Sequence, residues 1–277
     1  NYRSVPMEEL LVEAEQLAKE GTKELIVIAQ ETTVYGVDLY GEKQLPKLLH
    51  ELCKIDGIEW IRLLYCYPEE ITKELVQTIK TEKKICHYLD LPIQHCNDAI
   101  LKKMGRKTTQ ADLREKISML RKEIPDIALR TTLISGFPGE TIENHEECVD
   151  FVANMKFERL GVFPYSPEEG TPAAEYDRQL PDEIKQEWAD EIMQTEQNVI
   201  FAQNEEMIGR KLSVIVDGYL PEDGVYVGRT YRDAPEIDGC LFFEAPYEII
   251  SGTILPVLVT DANGYDLIGE ILPEEDD

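Results

Sequence analysis

The chain has 277 residues, of which 55 are acidic and 28 are basic, so its formal charge at pH 7 is −27. That length is sufficient for one large domain with a small one, or for a single barrel. No apolar run approaches the roughly 20 residues of a membrane span, and no positively charged, apolar leader opens the chain. We therefore expect neither a membrane protein nor a secreted one, but a cytoplasmic protein.

Residues 1 to about 166 alternate helical and strand patterns. Helical spacing of apolar residues predicts helices near 6–20, 45–55, 69–81, 97–124 and 140–155. Continuous apolar runs predict buried strands at 24–30, 59–65, 87–94, 128–136 and 159–166. This repetition indicates βα units with a parallel sheet. A doubly wound sheet and a (β/α) barrel both fit, and polar strand ends without a glycine fingerprint after the first strand favour the barrel.

The pattern changes after a long polar helix predicted at 181–207. Five short alternating strands follow Gly209, separated by turn signals such as Asn263-Gly264. They predict a small five-stranded antiparallel barrel of OB type. We therefore divide the chain into residues 1–208 and residues 209–277. The second part carries 15 acidic and 4 basic residues, a net charge of −11, which is unusual for a barrel that binds nucleic acid.

The acidic charge also indicates the kind of partner. An acidic surface repels phosphate backbones, and the local basic clusters at 80–84 and 102–107 are short. A strongly basic protein is therefore a more natural partner than RNA, and we expect no direct binding of nucleic acid. A role of the acidity in solubility alone fits the charge equally well.

The six cysteines stand at 53, 66, 86, 96, 148 and 240, and no pair has a CxxC or other close metal-ligand spacing. We expect reduced, mostly buried thiols and no metal site. The four histidines are not paired at ligand spacing either. A hydrogen-bonding role is therefore preferred for His95 over metal binding.

Polar residues end the predicted strands, and in a barrel these ends share one mouth. They are Gln30, Glu31, Tyr65, Gln94, His95, Ser135, Gly136, Tyr165 and Ser166. Singly, each is most simply a polar residue that finishes a strand, but five such ends together favour a ligand site. Arg130, inside a strand, must pair with a carboxylate or contact a ligand. Arg106 ends a helix, where an exposed charge is the simplest interpretation.

These motifs together resemble the radical S-adenosylmethionine methylthiotransferases. The matching segments are AQETTVYG (29–36), LPIQHCND (91–98), MGR (104–106), LRTTLISGFPGET (129–141) and YSPEEGTPAA (165–174). GRTYRDAPEIDG (228–239) resembles the TRAM domain of the RimO branch, which methylthiolates an aspartate of ribosomal protein uS12. The resemblance implies a partial TIM-like (β/α) barrel of the radical SAM type, without its first strand, followed by the OB-like TRAM barrel. A MiaB-type tRNA methylthiotransferase and a non-catalytic acidic docking module are the alternatives; SPEEGT and the acidic TRAM sequence oppose the first.

The resemblance also suggests roles for single residues. Gln30 and Glu31 lie in the motif that holds the methionine amino group, while Gln94 and His95 match the strand end near the ribose. The remaining assignments are Ser135, Gly136, Phe137 and Pro138 beside the adenine, Arg106 and Arg130 near the methionine carboxylate, Glu168 and Glu169 at the substrate mouth, and Glu236 and Asp238 in substrate docking.

The resemblance implies two kinds of cofactor, S-adenosylmethionine and two [4Fe-4S] clusters. It also implies an electron donor as a partner and uS12 as the substrate. A radical derived from S-adenosylmethionine would take hydrogen from the aspartate β-carbon before sulfur is added. The family's Cys-x3-Cys-x2-Cys loop and the three cysteines of its N-terminal domain are not in this sequence. We therefore expect a fragment that contains no catalytic residue and does not cleave S-adenosylmethionine alone.

Overall fold

The computed structural model describes residues 2–272, which form two β-sheets joined by a long helix. The helices of the first part are α1 (Met7–Lys19), α2 (Val37–Tyr40), α3 (Leu45–Cys53), α4 (Lys73–Thr81), α5 (Asp98–Lys103), α6 (Gln110–Glu123) and α7 (Ile142–Met155). Its strands are β1 (Glu24–Val27), β2 (Trp60–Leu63), β3 (Ile85–Asp90), β4 (Ala128–Ser135) and β5 (Arg159–Pro164).

The five strands form one parallel sheet in the order β1-β2-β3-β4-β5. This sequential order confirms the predicted βα units. The prediction of a single helix over 97–124 is wrong, because the segment folds as α5 and α6. Gly105 adopts a φ of 76°, which ends α5, and Thr109 begins α6 with a capping box to Asp112.

The two faces of this sheet differ in chemistry. Apolar residues such as Ile61, Leu89 and Leu129 alternate along the strands and pack against α1, α3, α4, α6 and α7 in the main core. The opposite face, which we call the inner face, carries Arg62, Tyr88, Arg130 and other polar side chains. A charged inner face requires partners, since an unpaired buried charge is costly.

Helix α8 (Asp182–Glu205) packs against β5 and α7 and continues to the second sheet. It is the longest helix within 2–272, and in that range none is both long and apolar enough to cross a bilayer. The predicted division at 208/209 falls between α8 and the first strand of the second sheet.

The second sheet is a closed five-stranded barrel in the order β10-β8-β7-β6-β9. Its strands are β6 (Lys211–Leu220), β7 (Val225–Arg229), β8 (Leu241–Glu244), β9 (Ile254–Asn263) and β10 (Asp266–Ile271). All neighbours are antiparallel except β8 and β10, which run parallel. The barrel encloses its own apolar core, with Val214, Phe243 and Val257 buried at its centre.

Residues Thr230–Asp238, which we call the interdomain segment, leave β7 and lie against the inner face of the parallel sheet. Arg62 donates from Nη1 to the carbonyl of Tyr231 at 2.6 Å, and its guanidinium lies 4.7 Å above the Tyr88 ring. Arg159, at the start of β5, pairs with Asp233. The interdomain segment therefore supplies the partners that the charged inner face requires.

Candidate functional site

The carboxyl ends of the five parallel strands meet along one edge of the sheet. Backbone hydrogen bonds join each end to the next: Thr32 to Tyr65 at 2.9 Å, Cys66 to Asp90 at 2.9 Å, Ile134 to Gln94 at 2.7 Å, and Tyr165 to Ser135 at 2.8 Å. The structure therefore brings together the strand ends from which the sequence predicts a ligand site.

Two residues at this edge have a left-handed backbone. Tyr65 has a φ of 55° and Gln94 a φ of 69°, and neither is a glycine. Such conformations are costly for residues with a Cβ atom and concentrate at functional sites. In this molecule they turn the chain sharply at the ends of β2 and β3.

Glu31 is the buried carboxylate of this edge, with an exposed fraction of 8%. Its Oε1 accepts from the Thr33 N–H at 2.8 Å, from the Thr33 hydroxyl, and from the Tyr67 N–H at 3.3 Å. Its Oε2 is buried and has no hydrogen-bond partner within residues 2–272. Burial raises the pKa of Glu31, although these hydrogen bonds oppose the shift. A bound ammonium group would supply the partner that Oε2 lacks.

Arg106 reaches the same region from the end of α5. Its guanidinium stacks 4.2 Å from the centre of the Tyr67 ring, and its Nη2 donates to the carbonyl of Pro92. The Nε atom is buried without a partner in the described part of the chain. Because the Tyr67 N–H also contacts Glu31, the predicted anion-binding and cation-binding residues are neighbours. Gln30 is exposed at the same edge.

His95 turns away from the open edge and is 1% exposed. Its Nδ1 accepts from the Asn97 N–H at 2.9 Å, and its Nε2 lies 3.2 Å from Oε1 of Glu140. The other oxygen of Glu140 accepts from the Phe137 N–H at 2.9 Å. His95 therefore lies behind the loop that follows β4 and supports it from within.

That loop contains the residues predicted to flank the adenine. Ser135 donates to the carbonyl of Lys185 at 3.1 Å, and the Phe137 ring contacts the Tyr165 ring edge-on at 5.2 Å. Gly136 has a φ of 74°, and a Cβ on it would lie 2.4 Å from Cγ of Lys185. A close approach of the backbone at this position therefore requires glycine. Pro138 is buried beside Phe137.

Residues 1–152, more than half of the chain, match the radical SAM superfamily, and residues 208–272 match the TRAM domain. The chain belongs to the radical SAM superfamily. This membership confirms the resemblance inferred from the motifs, and the closed barrel is the part that matches TRAM.

The similar proteins of this radical SAM chain carry the same name. It is 59% identical over 269 residues to "Ribosomal protein uS12 methylthiotransferase RimO" of Lachnoclostridium phytofermentans, covering 97% of this chain and 61% of that protein. It is 50% identical to the protein of that name from Clostridium botulinum strain Hall, covering 99% of this chain and 61% of the other. The chain thus spans about three-fifths of the length of these relatives.

Among solved structures, SuiB of Streptococcus suis matches with a TM-score of 0.48 and 18% identity, over 71% of this chain and 42% of that one. TsrM, a radical S-adenosylmethionine methyltransferase from Kitasatospora setae, matches with a TM-score of 0.46 and 19% identity, over 57% and 31% of the two chains.

The remaining predicted residues lie in two different environments. Arg130 contacts Asp90 through Nη1 at 3.0 Å and Asp238 through Nε at 3.4 Å, so its predicted need for a carboxylate is met within the protein. The Asp238 side chain is 2% exposed and accepts from the Tyr88 hydroxyl at 2.7 Å. This carboxylate holds the interdomain segment, whereas Glu236 beside it is exposed. Glu168 and Glu169 are exposed in the loop after β5.

Sequence reasoning missed Asp90 and Glu140, which position other groups at the edge. Oδ2 of Asp90 accepts from the N–H of Tyr65 at 3.0 Å, while Oδ1 contacts Arg130. Asp90 thus fixes the left-handed turn at Tyr65. The only sequence signal was its position as the acidic residue that ends an apolar strand.

The inner face near this edge is apolar and open. Ile26, Ile28 and Phe163 are exposed, Phe163 to 60%. Large apolar side chains that face solvent together indicate a surface that binds an organic ligand or a partner. The edge therefore combines an unpaired carboxylate, aromatic rings and an apolar floor.

Proposed function

We propose that this chain is the core of a methylthiotransferase that acts on the β-carbon of an aspartate in ribosomal protein uS12. The description of its relatives supports the proposal, and so does the combination of radical SAM and TRAM domains. The observation that carries it is the unpaired, buried Oε2 of Glu31 at the strand-end edge. Since the chain spans 61% of these relatives, the activity belongs to the longer protein that contains it.

S-adenosylmethionine and [4Fe-4S] clusters, when bound, supply the radical and the sulfur chemistry. The residues of this chain bind and orient S-adenosylmethionine. Glu31 receives the methionine ammonium on Oε2, and Arg106, stacked on Tyr67, provides the positive charge for the methionine carboxylate. The loop at 135–138 would hold the purine, and Glu140 fixes this loop by accepting from the Phe137 N–H. None of the six cysteines in this sequence has the Cys-x3-Cys-x2-Cys spacing that the family uses for its cluster.

Exposed acidic residues lie both in the loop after β5 and in the interdomain segment. Glu168, Glu169 and Glu236 are exposed, and the whole chain carries a charge of −27. A basic protein such as uS12 is attracted to this surface, whereas a polyanion such as tRNA is repelled. We place the reaction in the cytoplasm, with an electron donor as a further partner.

Binding of S-adenosylmethionine to the Glu31→Gln variant tests the site. The longer protein, reconstituted with iron and sulfide, would be measured by equilibrium dialysis with labelled cofactor. We expect affinity to fall about 10-fold or more, because a charge-assisted hydrogen bond becomes a neutral one. Glu70→Gln is the matched control, since Glu70 is a half-buried carboxylate that already pairs with Lys43. Equal affinity in both variants would remove Glu31 from the site.

The substrate is tested by incubating the reconstituted protein with uS12 and with tRNA in parallel. A methylthio mass increase on one uS12 aspartate is expected. Modification of tRNA alone would establish the MiaB-type activity instead. Salt-sensitive binding of uS12 without modification, by a protein with intact clusters, would indicate a docking module.

A further inference from the structure

Three side chains of metal-binding type meet behind the strand-end edge. A ring nitrogen of His95 and the Sγ atoms of Cys96 and Cys148 all lie within 4.8 Å of one another. His95 and Cys96 follow β3, whereas Cys148 lies in α7, so the fold brings together residues that the sequence separates. Within residues 2–272 this is the single group of three such ligands found at this spacing.

The cluster lies in the protein interior. The exposed fractions of His95, Cys96 and Cys148 are 1%, 0% and 1%. Nε2 of His95 has no well-directed hydrogen bond within the described residues, and neither has the facing Oε1 of Glu140, 3.2 Å away. These two atoms face each other, so Glu140 is the group that lies on the Nε2 side of the ring.

The surroundings of His95 match those of a metal-binding histidine. Such a histidine binds the metal through one ring nitrogen and directs the other towards a carboxylate, which fixes the ring. Glu140 is that carboxylate, on the Nε2 side. Nδ1 accepts from the Asn97 N–H at 2.9 Å and therefore carries a lone pair. Metal binding would exchange this hydrogen bond for a metal–nitrogen bond.

We propose that His95, Cys96 and Cys148 bind a thiophilic divalent cation, with Zn²⁺ as the ion that suits the donors best. Two sulfurs and one imidazole nitrogen are typical zinc ligands. Tetrahedral Zn²⁺ places two sulfurs about 3.8 Å apart and a sulfur and a nitrogen about 3.5 Å apart. Because the three atoms now lie within 4.8 Å of one another, each pair needs to close by at most about 1.3 Å. The two thiols release their protons to solvent as the ion binds.

This site would fasten the end of β3 to α7, next to the loop that Glu140 holds. Its ligands are buried, and the three of them leave the fourth tetrahedral position open. The proposal does not depend on the proposed function, since neither S-adenosylmethionine nor an iron–sulfur cluster takes part in it.

The test is the zinc content of the chain after chelation, reduction and dialysis against Zn²⁺. We expect about one zinc per chain, lost in Cys96→Ser and in Cys148→Ser. Cys66→Ser and Cys86→Ser are matched controls, because these cysteines are buried outside the cluster. Retention of zinc by both cluster variants, or loss from the controls as well, would overturn the proposal.

Measurements on the unsubstituted chain keep the test valid if the variants unfold. Co²⁺ is expected to give the near-ultraviolet charge-transfer absorption of thiolate ligands, and Zn²⁺ to raise Tm by about 3 °C or more. No stoichiometric zinc and no cobalt–thiolate absorption would rule the site out. A Cys96–Cys148 disulfide formed with peroxide in a chain that binds no zinc would identify a redox pair instead.

Discussion

The two ends of the parallel sheet treat buried charge in opposite ways. At the amino end the guanidinium groups of Arg62 and Arg159 are paired with Glu24 and with Asp233 of the interdomain segment. At the carboxyl end Glu31 keeps one oxygen without a partner in the described chain. Paired charges hold two parts of a protein together, whereas an unpaired one marks the place of a ligand.

Arg232 departs from this division. It is buried at the amino end, and its Nη1 has no partner among residues 2–272. Burial lowers its pKa, and the nearby Arg159 lowers it further. The fold tolerates the Arg232 guanidinium because Asp233 is close to both arginines. Buried charges at the amino end are therefore not all paired to the same extent.

Removal of one partner at the amino end has the largest expected effect. Asp233→Asn leaves Arg159 buried without its counter-charge, and we expect the free energy of unfolding to fall by about 3–5 kcal/mol. Arg159 lowers the pKa of Asp233 in spite of burial, so the stabilisation is present above the unfolded carboxyl's pKa and lost on acidification. Urea denaturation at pH 7 measures it.

Asp126→Asn is the control for this experiment, because Asp126 pairs with His87 at the surface. We expect a loss below about 1 kcal/mol there. Similar losses in the two variants would contradict the view that the interdomain pairs hold the domains together.

A methyl group at Gly136 tests the close packing at the carboxyl end. Gly136→Ala meets Lys185 and adopts a positive φ, whereas Gly170→Ala has a φ of 82° but nothing within 4 Å. We expect a loss of about 2–4 kcal/mol for the first and about 1 kcal/mol for the second, read from thermal unfolding. Equal losses would show that backbone conformation alone requires these glycines.

Glu196 makes the contact between α8 and the closed barrel sensitive to pH. Burial raises its pKa to about 7, although its Oε2 accepts from Tyr265 at 2.9 Å. The native state therefore retains a proton that the unfolded chain loses near pH 4.5, and stability falls as pH rises from about 4.5 to 7.

Glu196→Gln is expected to remove this dependence of stability on pH. Relative to the unsubstituted protein, its free energy of unfolding should be about 1–3 kcal/mol more favourable at pH 8 than at pH 4. The matched control is Glu187→Gln, an exposed residue of the same helix. Unfolding curves measured from pH 4 to pH 8 decide the matter. A slope that persists unchanged in Glu196→Gln would assign the proton to another group.

Relief of backbone strain has the smallest expected effect. Gln94→Gly and Lys156→Gly each remove a Cβ from a positive φ, of 69° and 52°. Both are expected to stabilise by about 0.5–1 kcal/mol in thermal unfolding. Only Gln94→Gly is expected to weaken binding of S-adenosylmethionine, since Lys156 lies between α7 and the start of β5, at the other end of the sheet. Weakened binding in both would contradict a local role for Gln94.

The order of elements could be predicted because buried parallel strands have a strong local signal. The runs at 128–136 and 159–166 became β4 and β5 within two residues. The run at 24–30 overshot, because Ile28 is apolar but exposed on the inner face rather than paired in β1. An apolar residue can pack against the protein core or against a ligand. The apolar pattern alone therefore does not distinguish a strand from a loop that faces a ligand.

Partnerships across the chain could not be predicted. The sequence showed that Arg130 needs a carboxylate, but not that Asp238 of the second domain would provide it. In the same way, Cys96 and Cys148 have no motif spacing and meet only because the fold brings α7 beside the segment that follows β3. Local patterns specify secondary structure, whereas side-chain pairs at long separation depend on the packed tertiary fold.

The interdomain segment also determines the order in which the molecule can fold. Arg62 can pair early with Glu24, but Arg159 lacks its carboxylate until residues 230–238 have been synthesised, because Asp233 lies in that segment. The first domain therefore cannot complete its inner face during synthesis while the second is still absent. The parallel sheet therefore reaches its final packing late in synthesis, after the interdomain segment near the end of the chain has been made.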